Sequence, residues 1–168
     1  HGVLWANQFD NLSNKKSHYL TTGPEIYKQL SQKVDAFICS IGTGGTISGV
    51  SDFLKEKNKN IVIGLADPMG SAMHNFYKNG KLKSTGSSIT EGIGQGRITK
   101  NLENAVIDES FQITDTEALN IVYEMVRKEG LILGGSSGVN IMGAVKLGKL
   151  IGPNKKIVTI LCDYGTKY

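Results

Sequence analysis

This chain has little of several things, and each shortage excludes something. It has two cysteines, three prolines and one tryptophan. No uninterrupted apolar run approaches membrane-spanning length, and no signal-peptide pattern is present. Cys39 and Cys162 each sit inside an apolar, strand-like run. They read as buried free thiols suited to a reducing cytoplasm, not as a disulfide or a metal site. Charge of one sign is also scarce: the net charge is +4, and the lysines are scattered. Their densest cluster, Lys55, Lys57 and Lys59, is broken by Glu56 and has no interleaved aromatics, which argues against a nucleic-acid surface. Repeats and low-complexity tracts are absent. What remains is an ordinary balance of 39% hydrophobic and 20% charged residues over 168 positions, enough for one domain with a real core.

Glycine is plentiful, and its most informative placement is Gly42-Thr43-Gly44-Gly45-Thr46. An apolar run, Ala36-Phe37-Ile38-Cys39, precedes it as a buried strand. Ile47, Val50, Phe53 and Leu54 follow at the spacing of one helix face. Strand, glycine turn and helix start together make an anion site: glycine lets the backbone approach an oxyanion, and free amides at the helix N-terminus point at it. Two threonine hydroxyls add donors. The standard phosphate motifs do not fit, since Gly49 is followed by Val50 and Ser51 where the Walker pattern needs lysine and a hydroxyl. A dinucleotide fingerprint needs a glycine where Ile47 stands. From this turn alone, a tight connection without a ligand stays open.

The rest alternates between strands and helices. Residues 3–6 are a short candidate strand, and residues 11–19 are helical or irregular. Thr22-Gly23-Pro24-Glu25 opens a helix that runs to about Lys33, with proline in its first turn. A strand over 35–40, a helix over 46–55 and a strand over 61–66 follow, the last apolar throughout as in a parallel sheet covered on both faces. A short helix over 71–78 and a turn at Asn79-Gly80 come next. Residues 81–104 form a long glycine- and serine-rich loop, which in a compact domain signals function or mobility. Thr114 and Glu117 are spaced as a capping box before Ala118, Ile121, Val122 and Met125, with Gly130 ending that helix. Gly134-Gly135-Ser136-Ser137-Gly138 leads into an apolar helix over 141–150, and residues 157–161 are the last strand. This order predicts a doubly wound, three-layer αβα domain with a mostly parallel sheet. Ligands of such sheets sit beyond the carboxyl ends of the strands. Three glycine-rich segments, 42–46, 91–96 and 134–138, stand where they could edge one crevice. His18 and His74 lie in polar surroundings and read as surface residues without a role.

Five segments then carry a family resemblance. Ala6-Asn7-Gln8-Phe9-Asp10-Asn11, Thr21-Thr22-Gly23-Pro24-Glu25-Ile26, Gly42-Thr43-Gly44-Gly45-Thr46-Ile47-Ser48-Gly49, Glu91-Gly92-Ile93-Gly94 and Gly134-Gly135-Ser136-Ser137-Gly138 occur in the order found in cysteine synthases (O-acetylserine sulfhydrylases). These are pyridoxal-phosphate enzymes of the tryptophan-synthase β-like fold, fold type II. The closing Ile160-Leu161-Cys162-Asp163-Tyr164-Gly165 resembles the bacterial cysteine synthase A type. The resemblance runs from Trp5 to Tyr168. It implies β-replacement, in which O-acetylserine loses acetate to give an α-aminoacrylate and sulfide adds to give cysteine. It also implies that Gly42, Thr43, Gly44, Gly45 and Thr46 cradle the cofactor phosphate. Ser136 resembles the serine at the pyridine nitrogen, with Ser137 as the alternative in a shifted register. Gln8 resembles the glutamine at the substrate carboxylate. Gly92 and Gly94 resemble the loop that closes over the amino acid. Family members are homodimers and accept the C-terminal tail of serine acetyltransferase in the active-site cleft. Other β-replacing enzymes of the fold, such as cystathionine β-synthase or serine dehydratase, share these loops, and a non-catalytic tail-binding module is the remaining alternative.

The family's lysine segment and the Thr-Ser-Gly-Asn-Thr-Gly loop that binds the substrate carboxylate have no counterpart here. The family's Schiff-base lysine lies in a Ser-x-Lys-Asp/Asn-Arg type segment, and none of the lysines here has that context. The expectation is a C-terminal cofactor-phosphate-binding domain over 1–168, a fragment that carries the anchor of the cofactor without a catalytic residue and that is inactive alone.

Overall fold

A computed structural model describes residues 2–167; His1 and Tyr168, the two ends of the expected domain, lie outside the described residues. Among the described residues, six α-helices and four strands follow in the order α1 Ser13–Leu20, α2 Thr22–Gln29, β1 Ala36–Cys39, α3 Gly45–Lys57, β2 Val62–Pro68, α4 Met73–Asn79, β3 Glu109–Ile113, α5 Asp115–Glu129, α6 Gly135–Ile151 and β4 Ile157–Val158, with single 3-10 turns at Lys100–Leu102 and Gly165–Lys167. The sheet order is β3-β2-β1-β4, and every pairing is parallel. Parallel strands need crossovers, and the helices supply them on both faces. One face packs Phe37, Cys39, Ile63 and Leu65 against Ile47, Val50, Leu54 and Met73, from α3 and α4. The other packs Ala36, Ile38 and Ala66 against Ala118, Val139 and Leu147, from α5 and α6. Successive strand residues thus feed opposite cores, which is why β1 is buried along its whole length. The doubly wound αβα expectation holds.

The winding fixes where a ligand belongs. From β1 the chain steps outward to β2 and then β3, then returns past β1 to place β4 on the other side. The direction reverses between β1 and β4, so the crevice beyond their carboxyl ends is the topological switch point.

Three expectations need correction, and one strand stands where the sequence reading placed none. Residues 3–6 form no strand: the segment lies outside the sheet with Val3 98% and Leu4 93% exposed, because no described strand runs beside it to complete a ladder. Strand β3 lies just before the capping box and carries no apolar run. It is an edge strand whose Glu109 faces solvent, so an alternating, half-polar sequence suffices. The last strand stops at Val158 rather than residue 161. Beyond it side chains replace ladder bonds: the Thr159 hydroxyl donates to the Ile38 carbonyl at 2.7 Å, and Asn140 Nδ2 donates to the Ile160 carbonyl at 2.8 Å. Finally, Cys39 is buried but Cys162 is exposed, and both are free.

The capping box is formed as expected. Thr114 Oγ1 accepts from the Glu117 amide at 3.3 Å, and the Glu117 carboxylate accepts from the Thr114 amide at 2.9 Å. Gly130 closes that helix in the left-handed conformation.

Candidate active site

A cleft of about 160 Å³ opens at the switch point, lined by Ser40, Gly42, Thr43, Gly44 and Thr46 after β1, by Ile160 and Cys162 after β4, and by Ile93 and Asn140. Its floor is the glycine turn. Gly44 has φ +89, and a Cβ there would lie 2.4 Å from Leu102 Cγ; only glycine fits both the conformation and the space. The first-turn amides of α3 have no carbonyl a turn below them and face this cleft end of the helix. Thr43 Oγ1 accepts the Gly45 amide at 3.3 Å, and the Thr43 carbonyl accepts the Thr99 hydroxyl at 2.7 Å, so the turn is held from both sides.

Of the other two glycine segments, 91–96 lines the cleft through Ile93, and 134–138 meets it through Cys162. The loop over 91–96 is tied to the floor through Gly94, whose amide donates to the Ile41 carbonyl at 2.8 Å. Gly92 brings its carbonyl so close that a Cβ on Gly42 would lie 2.7 Å from it. Ser71 clamps the same loop, accepting the Gln95 amide at 3.0 Å and donating to the Gln95 carbonyl at 3.2 Å. Asp115 holds the preceding stretch, accepting the Ser88 hydroxyl and, at 3.0 Å, the Ile89 amide. The long loop is therefore stitched down rather than loose.

The third segment starts α6. Ser136 and Ser137 are both buried. Ser137 Oγ accepts the Cys162 amide at 2.9 Å, so its hydroxyl braces the segment after β4. One helical turn on from Ser136, Asn140 Oδ1 accepts the Ser40 amide at 2.7 Å and joins the exits of β1 and β4. Ser136 lies beside the Cys162 thiol at the cleft edge. Although the residue as a whole is exposed, its thiol is turned inward against Ser136 and Asn140; loss of water around it pushes it upward, with those two side chains pulling the other way. Burial likewise raises the Cys39 thiol, so neither sulfur is a ready nucleophile near neutral pH.

Gln8 enters through its backbone. Its carbonyl accepts Asn14 Nδ2 at 3.0 Å and Asn101 Nδ2 at 3.1 Å, while the same Asn14 Nδ2 reaches Thr43 Oγ1 at 2.9 Å. Gln8 is thus coupled through one amide to the glycine turn. Asp10 anchors the segment further by accepting both Arg97 Nη atoms, at 3.2 and 3.0 Å.

Sequence reading missed Asn14, His18, Thr99, Asn101 and Asn140. His18 and His74 are not free surface residues: both rings are hydrogen-bonded and half-buried, and burial lowers both pKa values. The one available signal was Gly45 and Gly49, four apart on α3, which mark where another helix comes close. A Cβ on Gly45 would lie 1.9 Å from Asn14 Oδ1, and one on Gly49 would lie 2.3 Å from the Lys15 carbonyl of α1.

Asp67, at the end of β2, is fully buried and accepts the His74 amide at 2.8 Å. Burial pushes its carboxyl up to about 6, against the His74 amide and Ser71 hydroxyl, which pull it down. Between about pH 4 and 6 the folded chain therefore holds a proton that the unfolded chain has released, so this group's contribution falls as pH rises through that window. Asp67→Asn removes the slope. The variant is expected to gain about 2–3 kcal/mol on the wild type between pH 4 and pH 7, whatever its fixed offset. Urea unfolding at both pH values checks this, and a constant difference refutes it.

With this geometry in view, the comparisons with known proteins decide the family. The model of the pyridoxal-phosphate dependent enzymes matches residues 1–163. The chain belongs to that family. Cysteine synthase 1 of Neurospora crassa is 46% identical over 171 residues, covering 99% of this chain and 46% of that protein. Cysteine synthase of Dictyostelium discoideum is 41% identical and covers 99% and 47%. Among solved structures, an O-acetylserine dependent cystathionine beta-synthase from Helicobacter pylori superposes with a TM-score of 0.87 at 31% identity, covering 96% of this chain and 50% of that one. A hydrogen sulfide-producing enzyme from Fusobacterium nucleatum gives 0.84 at 34%. The chain spans about half the length of these relatives. The family's cofactor bears a phosphate, and the donor set of the glycine turn fits one. No lysine lines the cleft among the described residues.

Proposed function

We propose that this chain is the cofactor-anchoring portion of a cysteine synthase that converts O-acetylserine and sulfide into cysteine and acetate by β-replacement. The observation that supports this reading is that the glycine turn, Ile93 of the 91–96 loop and Asn140 of α6 line one cleft at the switch point of a pyridoxal-phosphate family fold, with the start of α6 joined to it through Cys162. Gly42, Thr43, Gly44, Gly45 and Thr46 would hold the cofactor phosphate with α3 amides and two hydroxyls. Ser136 would face the pyridine nitrogen, since Ser137 is committed to the Cys162 amide. Pyridoxal phosphate, when bound, supplies the electron sink for reactions at the α-carbon of an amino acid. A neutral hydroxyl at its ring nitrogen does not hold a proton there as a carboxylate would, which suits elimination and replacement at the β-carbon. Gln8 would hold the substrate carboxylate, and the loop bearing Gly92 and Gly94 would close over it.

The Helicobacter pylori neighbour, named as O-acetylserine dependent, supports O-acetylserine as the activated substrate, and the relatives named cysteine synthase support cysteine over cystathionine as the product, which makes sulfide the nucleophile of this reading. The reading extends to a cytoplasmic homodimer that accepts the tail of a serine acetyltransferase. Sedimentation and pull-down with a tail peptide ending in isoleucine test those two partners. In the described residues no helix is long and apolar enough to cross a membrane, and no cluster of His, Cys, Asp and Glu suits a metal.

The chain alone is expected to bind pyridoxal phosphate weakly through its phosphate and to form no cysteine. Covalent work at the cofactor needs an amine placed at the cleft, and no lysine lines it. The check is a titration followed by borohydride reduction. Phosphate-dependent binding without a fixed lysine is the expected result. A visible imine band that borohydride fixes on one lysine of this chain would overturn it.

A further inference from the structure

Two polar side chains of α1 face the glycine turn from behind. Asn14 and His18 are four residues apart, so they share one helix face. Gly45 and Gly49 share the facing side of α3 at the same spacing, and a Cβ on Gly49 would lie 2.7 Å from His18 Cβ. The two helices therefore meet closely enough for the α1 side chains to reach the threonines of the turn. Asn14 Nδ2 is 2.9 Å from Thr43 Oγ1, and His18 Nε2 is 3.2 Å from Thr46 Oγ1.

A hydroxyl has one proton and two lone pairs, and an anion can use only the proton. Thr43 Oγ1 accepts from Asn14 Nδ2 and from the Gly45 amide, which occupies both lone pairs and leaves the proton to be donated. For Thr46 the outcome depends on which nitrogen of His18 carries hydrogen. Both contacts are open to either neutral tautomer, and their lengths fit one of the two better. The contact of Nδ1 with Thr22 Oγ1 is 2.8 Å, typical of a hydroxyl donor, while 3.2 Å at Nε2 suits an N–H donor and is long for a hydroxyl. In the tautomer these lengths fit, Thr22 donates to Nδ1 and Nε2–H donates to Thr46. Burial lowers the pKa of His18, so the neutral ring, which must choose one tautomer, is favoured near neutral pH.

We propose that Asn14 and His18 are positioning residues that set the polarity of the Thr43 and Thr46 hydroxyls, so that both present their protons to an oxyanion in the glycine turn. This rests on the phosphate-cradle reading. It adds that the donors are chosen by α1, which touches no ligand itself. In the opposite tautomer Thr46 would spend its proton on His18 and turn a lone pair toward the anion.

The test has a part that needs no ligand. In the ¹⁵N-labelled chain, the imidazole nitrogen shifts of His18 are expected to show hydrogen on Nε2 and none on Nδ1; hydrogen on Nδ1 overturns the inference. The second part measures binding of inorganic phosphate by amide shifts in the glycine turn. Glutamine can place an N–H where Nε2 stands and asparagine cannot, so His18→Asn is expected to weaken phosphate binding about tenfold and His18→Gln to stay within about twofold. Thr46→Val keeps the shape and removes the hydroxyl. In that background His18→Asn is expected to add nothing, as is Asn14→Ala in a Thr43→Val background. Additive losses would mean that α1 acts on the fold and not through the hydroxyls, and would overturn the inference, as would equal losses in the two His18 variants. Thermal unfolding of each variant separates a binding loss from unfolding. Should the wild type show no phosphate shifts in the turn, the cradle reading falls and this inference falls with it, while the tautomer result still reports on His18 alone.

Discussion

Gly49→Leu is expected to prise α1 from α3 and destabilise the chain by about 3 kcal/mol, the upper end of what overpacking a close contact costs. A Cβ at this position would lie 2.3 Å from the Lys15 carbonyl and 2.8 Å from the Tyr19 amide nitrogen, and both are backbone atoms of a helix that cannot swing aside as a side chain can. Leucine is the better helix former by roughly 0.8 kcal/mol, and that gain opposes the loss without cancelling it. For a domain of this size the net change corresponds to a fall in melting temperature of roughly 5–10 °C. Displacing α1 also moves Asn14 and His18 off the two threonines, so phosphate binding should fall with stability. Gly96→Ala is the control, since nothing lies within 4 Å of its added methyl and its φ is not positive. Differential scanning calorimetry reads both variants. A Gly49→Leu chain within about 1 kcal/mol of wild type would mean that the helices separate freely and that their close approach holds nothing.

The same pair of helices shows how far the sequence was legible. The glycine turn was readable because its requirements are local: Gly44 must adopt a positive φ, and the strand before it and the helix after it each announce themselves by periodicity. The capping box of α5 was readable for the same reason, since both of its bonds span three residues. The partners of the turn were not. Thr43 meets Asn14 across 29 positions and Thr99 across 56, and Asn140 meets Ser40 across 100. Nothing near an asparagine in sequence tells which backbone group it will satisfy. Strand β3 was hidden because an edge position demands only half an apolar face. The segment over 3–6 misled in the opposite direction: an apolar stretch has strand propensity, but a strand exists only where a neighbour completes its hydrogen bonds. Order among motifs carried the site assignment further than any single residue did, because several glycine segments in a fixed sequence restrict the fold as well as the ligand.

Gly42→Val is the second large effect expected. The position has no unusual φ, so strain does not enter; the limit is space, with the Gly92 carbonyl oxygen 2.7 Å from where a Cβ would sit. The valine must push either the turn or the 91–96 loop. The turn is the stiffer of the two, since it is held by Thr99 on one side and by Asn14 on the other and is continuous with fully buried β1. The loop rests on Gly94 to Ile41 and on the Ser71 clamp at Gln95. At about 1 kcal/mol for each hydrogen bond lost, the loop should lift first, and amide exchange at Gly94 and Gln95 should speed up by roughly tenfold to a hundredfold. The amides of Ile63 and Leu65 in the sheet should change far less. Phosphate binding should also weaken, because the residue that carries the valine is part of the cradle. Unchanged exchange at Gly94 would mean that the loop is held by Ser71 alone. The expected result has a consequence for the whole site. The segment that would close over the amino acid rests directly on the exit of β1 and on the turn that would hold the cofactor phosphate, through Gly94 on Ile41 and Gly92 against Gly42, so a ligand that stiffens the turn also stiffens the seat on which the loop closes.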